Sequence, residues 1–425
     1  MSDLLIRGAD IIGRGRSDLL IRNGRFVDPA DAGSEGDQLD ADGLVALPGL
    51  VDLHTHLREP GREDAETVES GTLAAARGGF TAVLAMANTT PVTDTAEAAE
   101  HVAALGTRHG HAQVVPVGAV SKGLDGVELA ELGLMARARA GVRVFSDDGH
   151  CVSDARLMRR ALEYVRAFDG VIAQHAQDPQ LAGGAACCHE GEISGKLGLP
   201  GWPAAAEAGV VARDVQIAEL TRSRLHICHV SCAETVDVIR WANQRDINVS
   251  AEVAPHHLML TTSEVLNYDP TYKVNPPLRP NEHIEVIQEA LADGTIDAVA
   301  TDHAPHARHD KEHAFAEAAF GMLGLETALA VVIETMINSS LLKWHELAIR
   351  MSVMPAHIAR LADQGRPLAQ GEPANVVLVD PAARGVVNRD DSASLSRNNP
   401  WHGRDLPDPV IATIWAGQVT YQKGQ

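Results

Sequence analysis

Aromatic residues are scarce in this 425-residue sequence, at 4% of the chain. Long apolar runs are missing as well: none approaches the ~18 residues of a membrane-crossing helix. The first fifteen residues carry Asp and Arg without a long apolar stretch, so no secretory leader is expected. Positive charge is in deficit, with 36 Lys and Arg against 57 Asp and Glu, a formal −21. Such a chain repels phosphate backbones, which argues against general nucleic-acid binding. Cysteine is sparse and odd in number. Cys151, Cys187, Cys188, Cys228 and Cys232 include no C-x-x-C pair, so neither a disulfide framework nor a thiolate zinc site is expected. Free thiols in a reducing cytoplasm are the expected state. The apolar fraction, 45%, is that of an ordinary globular protein and excludes wholesale disorder.

What is present is a long alternation of apolar runs and helical segments. The runs are 49–53, 80–87, 112–120, 141–145, 170–173, 224–230, 247–253 and 296–300. Near-continuous apolar runs suit parallel strands buried on both faces. Helical patterns over 66–77, 155–167, 211–221, 233–244 and 282–291 lie between them. Eight strand–helix units predict a (β/α)8 TIM barrel, although an open doubly wound sheet has the same strand-by-strand pattern. The ends differ. Asp3-Leu4-Leu5-Ile6-Arg7 recurs as Asp18-Leu19-Leu20-Ile21-Arg22, and Asn23-Gly24 is a tight-turn signal. With 375–379, 410–415 and 419–422 these pieces predict a small composite β-sandwich built from both termini. The expected division is 1–48, a barrel over 49–365, and 366–425.

Groups able to bind metal cluster where the runs end. The first run ends in Asp52-Leu53-His54-Thr55-His56. Strand residues two apart share a side, so His54 and His56 can grip one ion. The fourth run ends in Ser146-Asp147-Asp148, the fifth in Gln174-His175, the sixth in Cys228-His229 and the eighth in Thr301-Asp302-His303. In a barrel these ends converge on the face where active sites form. Four histidines with two aspartates exceed the needs of one tetrahedral ion and suit two ions sharing a carboxylate. Such a pair can hold a hydroxide near neutral pH and polarise a carbonyl, which points to hydrolysis of an amide-like bond or its reverse. Which of Asp147 and Asp148 ligates is open at this point. His256-His257 are read as structural, because adjacent strand residues face opposite sides. His101, His109, His111 and His189 are expected at the surface.

Several longer motifs carry a family resemblance. Asp52 to Gly61 (DLHTHLREPG), Val144 to Gly149 (VFSDDG), Lys273 to Arg279 (KVNPPLR), Ala300 to His306 (ATDHAPH) and Ala319-Phe320-Gly321 resemble, in order, the type I dihydroorotases of the amidohydrolase superfamily. The resemblance spans essentially the whole chain. It implies that His54 and His56 bind one zinc, His175 and His229 a second, and Asp148 bridges them. Asp302 would ligate and act as the acid/base. Arg58 and Asn88 would hold the substrate carboxylate, with His56, Asn275, His306 and the Phe320-Gly321 backbone completing the pocket. The implied reaction is the reversible cyclisation of N-carbamoyl-L-aspartate to L-dihydroorotate, with a hydroxide held by the metals as nucleophile. A homodimer, sometimes associated with aspartate transcarbamoylase, is also implied. The alternatives are a hydantoinase or allantoinase, and a non-catalytic subunit that scaffolds aspartate transcarbamoylase. Two departures stand out: Ala87 where the family often has Pro, and Gln177 where it often has Glu. The stretch 307–319 is read as a lid or a plain surface loop.

Overall fold

The computed structural model describes residues 3–33 and 36–424. Eight parallel strands form its centre: β1 (Leu50–Thr55), β2 (Phe80–Ala85), β3 (Gln113–Pro116), β4 (Val144–Phe145), β5 (Val171–Gln174), β6 (Arg224–Ile227), β7 (Val249–Val253) and β8 (Ala298–Val299). They pair as two arcs, β1-β2-β3 and β4-β5-β6-β7-β8. Parallel bridges between Gly118 and Phe145, and between Thr55 and His303, join the arcs at both seams. The ring is therefore closed, and the open-sheet alternative falls. Every residue of β1 and β2 is buried, because helices cover the outside and side chains fill the inside.

The helices start at side-chain caps that the sequence supplies. Thr67, Thr95 and Asp154 accept from the backbone N–H groups of Ser70, Ala98 and Leu157 at the starts of helices Val68–Arg77, Ala96–His109 and Ala155–Val165. The helix expected at 211–221 runs instead over Ala205–Thr221. Its first turns carry a buried carboxylate, Glu207, which breaks the apolar stripe. Glu207 accepts from Ser231 N (3.0 Å) and lies 3.4 Å from buried Arg279.

Both ends of the chain enter one eight-stranded sheet. Val45–Pro48 runs antiparallel to Val376–Val379 and joins the two contributions. Alternation along Val376–Val379 sorts the side chains by period two. Val377 and Val379 pack into the barrel core, while Val376 and Leu378 join Ile6, Ile21, Phe26 and Ile414 in a core of the sheet's own. All five cysteines are free thiols.

Candidate metal centre and active site

The barrel brings six sequence-predicted donors into one buried cluster. His54 lies on β1, His56 just beyond it, Asp148 beyond β4, His175 beyond β5, His229 beyond β6 and Asp302 beyond β8. Asp148 Oδ1 stands 3.2 Å from His54 Nε2, 3.2 Å from His175 Nδ1 and 3.5 Å from His229 Nε2. Its Oδ2 lies 3.3 Å from His56 Nε2. Asp302 Oδ1 faces His54 and His56 at 3.6 and 3.5 Å. Three groups could hold an ion: His54–His56–Asp148 and Asp148–His175–His229, which share Asp148, and His54–Cys228–Glu252, which does not contain it.

The spacing tests whether a cation fits. A tetrahedral ion with bonds of about 2.0–2.1 Å has ligand–ligand edges of about 3.3 Å. The contacts to Asp148 match that edge. His54 Nε2 is buried and makes no hydrogen bond, although carboxylate oxygens surround it. A lone pair so placed suits a positive centre. The imidazole and carboxylate donors fit zinc or a similar divalent ion. Asp147, the other half of the pair, turns away. It accepts from Val120 N (2.8 Å), Ser121 N (2.9 Å) and the Ser121 hydroxyl.

Other side chains fix which imidazole nitrogen points inward. Asn88 Oδ1 accepts from His56 Nδ1 (2.9 Å), and Gln177 Oε1 from His175 Nε2 (3.2 Å). Gln177 therefore orients a histidine with its amide oxygen, where the family often has a carboxylate. Glu252, inside β7, accepts from His54 Nδ1 (2.9 Å) and His226 Nε2 (3.0 Å). His226 in turn meets Ser250 Oγ at 2.9 Å. Burial opposes ionisation of Glu252, but hydrogen bonds from His226 and His54 and their charge outweigh it and push its pKa down to about 2. Sequence reasoning missed Glu252 and His226. Their signal was a charged residue and a histidine inside otherwise apolar strands. Replacing Glu252 with Gln keeps the shape but weakens the hold on His54. A chelator-competition titration of the purified chain is expected to show metal affinity lowered by about 10- to 100-fold.

The residues expected to hold substrate make the following contacts. Arg58 Nε donates to Pro305 O (3.0 Å), and Arg58 Nη2 lies 3.4 Å from His306 Nε2. Burial pushes the Arg58 guanidinium down to about 10, so it stays charged at neutral pH. His306 Nε2 donates to Phe320 O at 2.6 Å. Burial, then the charge of Arg58, pushes His306 down to about 2, so it is a neutral imidazole. Gly321 has φ +139°, and a Cβ there would sit 2.7 Å from Ala304 Cβ and 2.9 Å from His306 Nε2. Its N–H already donates to Lys273 O (2.9 Å). Asn275 Nδ2 donates to Gln177 Oε1 (2.7 Å), and Asn275 Oδ1 is buried without a hydrogen bond. Arg58, His229 and Asp302 adopt positive φ of 62°, 34° and 47°, a conformation that bulky residues rarely take and that concentrates at functional sites.

The stretch 307–319 is tied down by two lysines. Lys311 Nζ donates to Ala319 O, Gly321 O and Lys273 O at 2.9, 3.1 and 3.4 Å. Lys273 Nζ donates to Ala316 O and Ala318 O at 2.8 and 2.6 Å. His256 and His257 are buried beyond β7 and belong to none of the ion-holding groups. His189, expected at the surface, is half-buried and accepts from Arg279 Nη1 (3.0 Å), because the Cys188–His189 and Gly201–Trp202 pairing folds its segment inward.

Known proteins resemble this chain in sequence and in fold. The family described as Dihydro-orotase-like matches residues 43–235. A dihydroorotase of Streptomyces coelicolor is 56% identical over the full length of both chains. One of Mycobacterium tuberculosis is 51% identical over 99% of each. Among solved structures, the L-hydantoinase (dihydropyrimidinase) of Arthrobacter aurescens superposes with a TM-score of 0.87 at 23% identity, covering 100% of this chain and 97% of that one. A dihydropyrimidinase from Brevibacillus agri gives 0.85 at 21% identity, covering 100% and 96%. At that identity the likeness concerns the fold, a (β/α)8 barrel with a β-rich domain.

Proposed function

This chain belongs to the dihydroorotase family, and on that premise we propose that it interconverts N-carbamoyl-L-aspartate with L-dihydroorotate and water, the third step of de novo pyrimidine synthesis. The observation that carries the reading is the pair of ion-holding groups sharing Asp148 beside the buried guanidinium of Arg58. His54, His56 and Asp302 would hold one zinc, His175 and His229 a second, with Asp148 between them. Bound there, divalent ions supply a Lewis acid for the carbonyl and make a water acidic enough to attack near neutral pH.

The chain's own groups do the rest. Arg58 offers a carboxylate the two parallel N–H donors that a guanidinium presents, in a protein whose net charge would otherwise repel the substrate. Asn88, Asn275, His56 and His306 line the same pocket, and the Phe320-Gly321 backbone borders it. Asp302 is held ionised. Burial opposes this, but the His56 hydrogen bond and the charges of His54 and His229 prevail. In hydrolysis its carboxylate takes the proton of the attacking water and hands it to the leaving ring nitrogen; in cyclisation the proton runs the other way. The tied stretch 307–319 limits bulk water at this mouth.

Metal quantification alongside an assay in both directions tests this directly. Dihydroorotate turnover that follows metal content is expected. Turnover of hydantoin or allantoin without dihydroorotate would assign the runner-up activity. A metal-loaded chain inert to all of them would make it a scaffolding subunit. The same reading makes the protein a cytoplasmic homodimer with a capacity to associate with aspartate transcarbamoylase. Light scattering of the chain alone and mixed with that enzyme checks both.

A further inference from the structure

A cleft beside the donor cluster, between the segment after β8 and the loop 389–398, is not used by the chemistry above. It encloses about 400 Å³, and its lining includes His306, Arg308, Lys311, Arg389, Arg397 and Asn398. That volume is typical of a small-molecule site. Its carboxylates are Asp269 and Glu312, so cations outnumber anions here, the reverse of a chain at −21.

The Arg308 and Arg389 guanidinium groups are available, whereas Arg397 Nη1 donates to Ser394 O (2.5 Å) and Ser396 O (2.7 Å). Among the described residues, neither Arg308 nor Arg389 has a carboxylate partner, and Arg397 stands 3.8 Å from Asp390. Arg366, Arg384 and Arg404 elsewhere are paired at 2.7–2.8 Å. Lys311 turns its Nζ to backbone carbonyls, and burial pushes it down to about 7, so it adds only part of a positive charge. The floor of the cleft is firm and shared with the site. Asn398 Oδ1 accepts from His306 N (3.2 Å), while Asn398 Nδ2 donates to Ala304 O (2.9 Å) and Gly321 O (3.1 Å). His306 thus forms a wall of the cleft on one side and lies next to Arg58 on the other.

We propose that this cleft is an outer capture subsite for a small dianion, which it takes before the ligand passes His306 to Arg58. The proposal rests on the reading that the substrate is a dicarboxylate. The physical need is local. Screening confines charge effects to about 8–10 Å at ordinary salt, so a dianion approaching an acidic protein responds to the charges at the mouth. Inorganic phosphate shares the ligand chemistry and serves as the competing probe.

The test uses the metal-loaded full chain and the double variant Arg308→Gln/Arg389→Gln. Cyclisation of N-carbamoyl-L-aspartate is followed at about 10 mM and about 150 mM salt, where screening lengths are about 30 and 8 Å. At the lower salt, kcat/KM is expected to fall about tenfold through KM, with kcat unchanged. The steep salt dependence of the parent should flatten. Arg308→Lys/Arg389→Lys should keep most of the parent value. Phosphate should raise KM in the parent and leave the double variant unaffected. A double variant that follows the parent's salt curve overturns the proposal. So does phosphate that changes the parent's kcat and not its KM, which would mark an effector site. Failure of the underlying reading looks different, because the parent itself would then not turn over carbamoyl aspartate.

Discussion

Asp302→Asn is expected to lower kcat about a thousandfold or more, in both directions, while the protein stays folded and dihydroorotate still binds. The substitution keeps size and shape but removes the charge and the basic lone pair. A thousandfold is about 4 kcal/mol of barrier, within reach of one positioned proton acceptor. Asp302 is placed for that role because its carboxylate sits 3.5 Å from His56 and 3.6 Å from His54 and is ionised at neutral pH, free to accept a proton. Steady-state assays alongside equilibrium binding of dihydroorotate separate lost chemistry from lost affinity. Turnover within a few-fold of the parent would remove Asp302 from the mechanism.

The second large effect divides two adjacent residues. Asp148→Asn is expected to strip the protein of metal and activity together, because the two ion-holding groups built from the strand-end donors both contain that carboxylate. Elemental analysis after dialysis should find little retained metal, while the melting temperature of the metal-free chain changes little. Asp147→Ala should do the opposite. It leaves the buried N–H groups of Val120 and Ser121 without their acceptor, at a cost of roughly 3 kcal/mol. Calorimetry should show a lower melting temperature, with metal content per folded chain maintained. If the two variants exchange phenotypes, the placement of Asp148 at the shared position is wrong.

That contrast also marks how far the sequence could be read. The eight strands were legible because parallel strands buried on both faces need continuous apolar runs. The ends of those runs located the donors, since a closed barrel brings them to one mouth. Asp147 and Asp148 could not be separated by periodicity, because they lie past the end of β4 in irregular backbone. Glu252 and His226 stood in plain view inside apolar strands, but Glu252 meets His54 only because the ring closes, and His226 meets Glu252 across the neighbouring strand. Asn88 likewise reaches His56 from another strand's end, while Gln177 lies two residues past His175, in irregular backbone where periodicity gives no direction. The stretch 307–319 stayed open between lid and plain surface loop, because its anchors are two lysines. Lysine normally signals solvent, whereas here Lys311 is buried and satisfied by backbone carbonyls.

Asn398 has a consequence for how the protein is made. All six candidate metal donors lie between residues 54 and 302, but the side chain that ties the 304–321 backbone together comes nearly a hundred residues later. A nascent chain on the ribosome therefore carries the complete donor set well before it carries the clasp.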